Sequence, residues 1–175
     1  MSRKHVVTAD GQALLVEDVG RDYAHEAASR FFEGVGGAEF FRQLSLAFYR
    51  LVDEDPVIGP MFRAGPEHHA ARLADHFIKM YGTPDLSEGW NPRFLRAHLG
   101  AVIGNRHRER WLDLMRRAGE SIDAKEPWFS DFVATMINAS SAVSAASRGA
   151  ALARGAEIDR QGVVVSEARR RRGAK

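Results

Sequence analysis

Histidines carry most of the chemistry open to this chain, because its 175 residues include 7 His and no Cys. Without thiols there can be no disulfide, Cys-ligated zinc, iron–sulfur cluster, thiolate-ligated haem or covalent haem on a Cys-x-x-Cys-His site. A metal would have to rest on His, carboxylate, Tyr or Met. The group His68, His69 and His76 suits zinc poorly. On one helix, His69 and His76 stand about 10 Å apart along the axis, too far for both rings to reach one ion. His98 and His107 also miss the i, i+4 spacing. Neither a phosphate-binding glycine loop nor a metalloprotease motif occurs. His5, His25, His68 and His107 read as surface residues. His98 differs, since Phe94, Leu95, Leu99 and Val102 surround it on a short apolar stretch. Two readings are open there. One is a hydrogen-bonded core histidine. The other is a neutral imidazole offered to a haem iron, with apolar walls holding the macrocycle and the second ring nitrogen oriented by a hydrogen bond.

The elements that must position these residues are helical. Phe41, Leu44, Phe48, Leu51 and Val52 keep one face apolar up to Asp55-Pro56, where proline disfavours continuation. A second helix follows Gly65-Pro66, carries Leu73, Phe77 and Tyr81 on one face, and stops at Gly82-Thr83-Pro84. After a turn-rich loop from Asp85 to Asn91 comes the short piece bearing His98. Asn105 then suits the cap of a helix that aligns Trp111, Met115 and Ala118. The last helix has a broad stripe of Trp128, Phe129, Phe132, Val133, Met136, Ile137 and Val143, and after Ser144 the composition turns to Ala, Ser, Gly and Arg. With no repeats and no βαβ alternation, the core is all-α, with about six helical pieces.

The ends are read separately. Residues 1–33 form an N-terminal extension, in which Asp10-Gly11 between apolar runs signals a hairpin followed by a helix. Residues 34–147 are the helical domain. Residues 148–175 read as a basic, solvated and disordered tail. Arg169 to Arg172 and Lys175, against Glu167, turn a formal charge of −2 into the observed +2, so the pI near 9.2 is a property of that tail. Such a run more often stays solvated than recognises nucleic acid. No apolar stretch approaches the ~20 residues of a membrane span, and Met1 to His5 do not open a signal core, so the expected location is the cytoplasm.

In order along the chain stand Gly36-Gly37, Phe48-Tyr49, Asp55-Pro56, Phe62, Tyr81-Gly82-Thr83-Pro84, His98 and Arg110-Trp111, with Trp111 13 residues beyond His98. Over about residues 34–143 this ordered set resembles a truncated haemoglobin of the group II, or O-type, branch. The resemblance implies a truncated globin fold, a two-on-two helical sandwich around haem b. It makes His98 the proximal iron ligand, sets Tyr49 and Trp111 on the distal side, and packs Phe62 on the haem. Taking Leu73 as the residue over the haem puts His69 one turn earlier, nearest the ligand; a slip of one residue would put Ala70 there. Phe94 would add to the haem wall, and Arg72 and Arg96 are candidates to meet its propionates. His69 departs from the small residue that many relatives carry. Thr83 stands where a second Gly is usual, Ala97 where many have Arg, and Leu99-Gly100 where a small-residue-Pro-Phe run is common.

The implied function is reversible binding or transport of oxygen, with nitric oxide and carbon monoxide as further diatomic ligands. Oxygen bound at such a site takes on partial negative charge, which preorganised donors in a dry pocket hold. Tyr49 and Trp111 supply an O–H and an N–H for this. The alternative is a haem-dependent peroxidase or nitric-oxide dioxygenase. Since no flavin or nicotinamide motif is present, that chemistry would need an external reductase. A haem-free globin scaffold is a third class, against which the retention of His98, Tyr49 and Trp111 argues. A homodimer is compatible with all three.

Overall fold

The computed structural model describes residues 5–7, 13–62, 65–82, 96, 98–159 and 164–167. Phe94, Leu95, the 85–91 loop and the Arg169–Arg172 run lie outside the described residues. Strands β1 (His5–Val7) and β2 (Ala13–Leu15) lead into α1 (Val16–Val35), α2 (Gly37–Asp53), a 3-10 turn (Gly59–Met61), α3 (Pro66–Gly82), α4 (Asn105–Ser121) and α5 (Trp128–Ala153), followed by β3 (Ala156–Ile158) and β4 (Val164–Glu167). The main body is all-α. The strands form two antiparallel hairpins at its ends, with His5 opposite Leu15 and Ala156 opposite Glu167.

Helix α2 is the centre of the packing. Its stripe Phe41, Leu44, Phe48 and Val52 is at most 1% exposed, which the 3.6-residue period requires of a face buried along its whole length. It lies against α3 and α4, while α4 and α5 form the second pair and α1 closes over α2, α3 and α5. Between them the Phe41 ring stacks on Tyr81 at 5.6 Å and meets Phe77 at 5.5 Å and Phe132 at 6.0 Å. Each such ring, fully buried, contributes roughly 1.5–3 kcal/mol.

Both expected boundaries fall inside helices. Helix α1 runs through residue 33, and Phe31 and Phe32 join the aromatic core, at 4.8 Å from Tyr81 and 5.9 Å from Phe41. The break comes instead at Gly36 and Gly37, whose φ values of 113° and 67° suit residues without a Cβ. At the other end α5 passes residue 148 and reaches Ala153, with Ser144, Ser147 and Ala151 buried, and the β3–β4 hairpin follows. Ser147 and Ala151, in the stretch whose composition turns to small residues, are small where α5 packs, while Gly149 and Ala153 face outward.

Gly119 on α4 shows the same close packing: a Cβ there would run into the ring of Phe129. Gly119→Ala should therefore destabilise the fold by about 1–3 kcal/mol, the usual range for overpacking a core. Thermal melts should also show that adding Phe129→Leu recovers part of the loss, since the two changes share one space. An unchanged melting temperature in the single variant would mean that the two helices part without cost.

Candidate functional site

Near the end of α2 the chain must turn sharply, and Asp55 organises the turn. Its Oδ1 accepts from the N–H groups of Val57 and Ile58, both at 2.9 Å, and its backbone carbonyl accepts from Gly59. Its other oxygen takes the Nε of Arg110, whose Nη1 also donates to Asp113 at 2.7 Å. One buried carboxylate thus ties the end of α2, the 3-10 turn and α4 together. Burial pushes the Asp55 carboxyl up, but the bonds from Ile58, Arg110 and Val57 together outweigh it and hold the group below its ordinary value.

This corner assembles an aromatic cluster from three elements. Tyr49 on α2 is 8% exposed and meets Phe62, just after the 3-10 turn, edge to face at 5.3 Å. His69, in the first turns of α3, stacks on Tyr49 at 5.4 Å and meets Phe62 at 5.1 Å. Phe48 lies between Tyr49, at 5.0 Å, and the half-buried Trp111 of α4, at 5.3 Å. Leu73 is buried one turn beyond His69. Ala70 is buried too, yet it is the ring of His69 that reaches Tyr49.

Burial sets the protonation of both polar rings. It pushes the Tyr49 phenol up to about 12, against a smaller opposing effect of the Arg72 charge, so the group keeps its O–H near neutrality. It pushes His69 down, aided by the charges of His68 and Arg72, which favours neutral imidazole. The His69 Nε2 is buried without a hydrogen-bond partner, as are Ser45 Oγ and Tyr81 Oη. An unmet buried polar atom costs about 1–3 kcal/mol, so a nitrogen left open beside a phenol and two apolar walls suits a pocket that receives a small polar ligand. Such a set of groups can hydrogen-bond a small polar ligand.

His98 is half-buried on a helical turn, and its charge reaches His76 of α3. Burial pushes His76 down first, and the charge of His98 adds to this. Arg72 is exposed, though its charge reaches Tyr49 and His69, and Arg96 is exposed as well. Tyr49, Phe62, His69 and Leu73 thus come together, with Trp111 joined to them through Phe48. Among the described residues, no three His, Asp or Glu side chains could share a metal ion.

Asp55-Pro56 and Arg110-Trp111 stand in the ordered motif set, but sequence reasoning missed the link that joins Asp55, Arg110 and Asp113. The Asp before Pro marked a helix end, although Asp also accepts from the N–H groups that follow it in a turn. His107 is half-buried rather than a surface residue. Its Nδ1 accepts from Gly104 N–H at 3.1 Å, so Gly104 opens α4 where Asn105 was expected to.

The profile of the bacterial-like globin family matches residues 30–144. The haemoglobin of the actinobacterium Thermobifida fusca is 30% identical, with a TM-score of 0.56 over 65% of this chain and 94% of its own. That of the phototroph Chloroflexus aurantiacus is 28% identical, with a TM-score of 0.56 over 65% and 95%. The group II truncated haemoglobin of Bacillus anthracis, at 22% identity and a TM-score of 0.57 over 65% and 88%, shares the fold. No curated protein matches the chain. No described helix is long and apolar enough to cross a membrane.

The Asp55 corner has a pH signature. A carboxyl depressed in the folded state adds stability that is complete above its unfolded value, about 3.9, and is lost as pH falls through the lower folded value. Asp55→Asn should lower the melting temperature at neutral pH, and its gap to the parent should close below about pH 4. A gap that stays constant across that range would assign the loss to shape rather than charge.

Proposed function

The chain belongs to the bacterial-like globin family, and we propose that it is a haem protein that binds oxygen reversibly, with His98 as the proximal iron ligand and Tyr49, Trp111 and His69 as donors on the opposite side. The observation that carries this reading is the buried, unpartnered His69 Nε2 stacked on Tyr49, in a cluster walled by Phe62 and Leu73. Haem b, when bound, supplies an iron that takes a diatomic gas such as oxygen or nitric oxide. Phe62, Leu73 and Phe94 would hold its faces, while the exposed Arg72 and Arg96 would meet its carboxylates.

The chain's own residues determine how long a ligand stays. A ligand that draws negative charge is held by donors that need not reorganise, in a site from which water is excluded. Tyr49 donates an O–H that its burial keeps protonated to about pH 12. His69, kept neutral, can donate from one nitrogen without bringing a net charge into the pocket. Phe62 meets both rings edge to face, and Phe48 meets Tyr49 in the same way.

His98→Gly should abolish stable haem binding or make it depend on added imidazole. Haem retention with an unchanged ferrous spectrum in that variant would refute the assignment.

Trp111→Phe and Tyr49→Phe should each speed oxygen release by about 10- to 100-fold, because a hydrogen bond to a charged acceptor is worth about 1.5–3 kcal/mol. Carbon monoxide, which carries little charge when bound, should leave at close to the parental rate. The double variant should fall short of additivity if both donors meet one atom. His69→Ala, followed by the same stopped-flow displacement, measures the share of the third donor. Parental oxygen release in both single aromatic variants would reduce these residues to core packing.

A further inference from the structure

The stretch shared with the family ends at residue 144, but α5 goes on to Ala153. Its added turns reach back to the backbone that follows His98. Ser144 Oγ donates to the carbonyl of Ile103 at 2.8 Å. Ser147, fully buried, donates to the carbonyl of Ala101 and accepts from the N–H of Ile103 at 2.9 Å. From the exposed turn after α5, Arg154 Nη1 donates to the carbonyl of Leu99 at 2.9 Å. Residues 101–104 belong to no helix or strand, so their polar backbone groups have no regular ladder to satisfy them and must find partners elsewhere. The last helix supplies them at residues 101 and 103, and Arg154 in the turn after it meets the carbonyl of residue 99.

We propose that Ser144, Ser147 and Arg154 are positioning residues for His98, acting through the backbone of residues 99–103. This deepens the reading of His98 as the iron ligand and rests on it. A ligating side chain on a single helical turn takes its direction from the backbone on either side, and a turn pinned one, three and five residues beyond the ligand cannot rotate or fray freely. Groups that orient a metal ligand from outside its shell matter to metal affinity almost as much as the ligand does. Serine suits the buried positions because its hydroxyl is short enough for α5 to lie close to the backbone it holds, and it both donates and accepts. The extension is then part of the haem site rather than an appendage to it.

The test uses the full-length chain with Arg154→Met and Ser147→Ala. Arg154 is exposed, so its replacement leaves the core intact even if loss of the buried Ser147 hydroxyl impairs folding. Three measurements are made: amide hydrogen exchange of residues 99–103 in the haem-free chain, the rate of haem transfer to excess apomyoglobin, and the ferrous iron–histidine stretching band in the resonance Raman spectrum. Both variants should exchange faster in that segment. They should lose haem about three- to tenfold faster per hydrogen bond removed and show a shifted or broadened band. Parental exchange, or faster exchange with parental haem loss and an unchanged band, overturns the proposal. A parent chain that takes up no haem overturns the functional reading and the proposal with it. A haem-binding parent with unresponsive variants overturns the proposal alone.

Discussion

The buried carboxylate of Asp55 is the constraint on which the aromatic cluster depends. Removing a charge from water is costly, and the cost is met only when several donors converge on it. Those donors come from the turn after α2 and from Arg110, 55 residues later, so satisfying one carboxylate fixes the relation between two elements that the chain itself leaves unlinked. Phe62 follows directly from the 3-10 turn that comes after the Asp55 loop. Arg110 and Trp111 are neighbours on α4, and successive helical side chains diverge by about 100°, so holding Arg110 to the corner turns Trp111 toward Phe48. Tyr49 stands six residues before Asp55 on the same helix end. The corner thus brings four elements' worth of side chains into one register without any of them touching the carboxylate.

What the sequence made legible was periodic. The stripe Phe41, Leu44, Phe48 and Val52 is the most buried set of residues in the molecule because only a helix face places those spacings together. The Asp10-Gly11 pair likewise pointed to the β1–β2 hairpin. What stayed hidden depends on residues far apart in sequence. Nothing near Asp55 announces Arg110, and nothing near Ala101 announces Ser147, 46 residues on. Composition actively misled at the C-terminal end. Ala, Ser and Gly signal solvated chain when averaged over a window, but the same small side chains permit close helix packing, and a window average cannot separate the two cases. At the site, the residue types of Tyr49, His69 and Trp111 were readable, while the stacking of the His69 ring on Tyr49 was not.

Helix α3 gives the site two ends. Its histidines at 69 and 76 are separated by about 10 Å along the axis, the spacing that argued against one shared ion. In the fold they serve different neighbours: His69 lies on Tyr49 and Phe62, while His76 responds to His98. Burial lowers the affinity of both for a proton and favours neutral rings at these two positions, while the charge of Arg72 on the same helix still reaches Tyr49 and His69. Neutral rings and a nearby charge act differently on a bound ligand. A cation in the pocket would bind anions from solvent, whereas neutral donors act only on charge that develops in the bound ligand itself. The same desolvation that suppresses the charge strengthens the hydrogen bonds that remain, because no water competes for them. The aromatic cluster around Tyr49 and the segment after His98 are thus held by separate devices, the Asp55 corner on one side and the end of α5 on the other. A change in either should alter one face of the site while leaving the other in place.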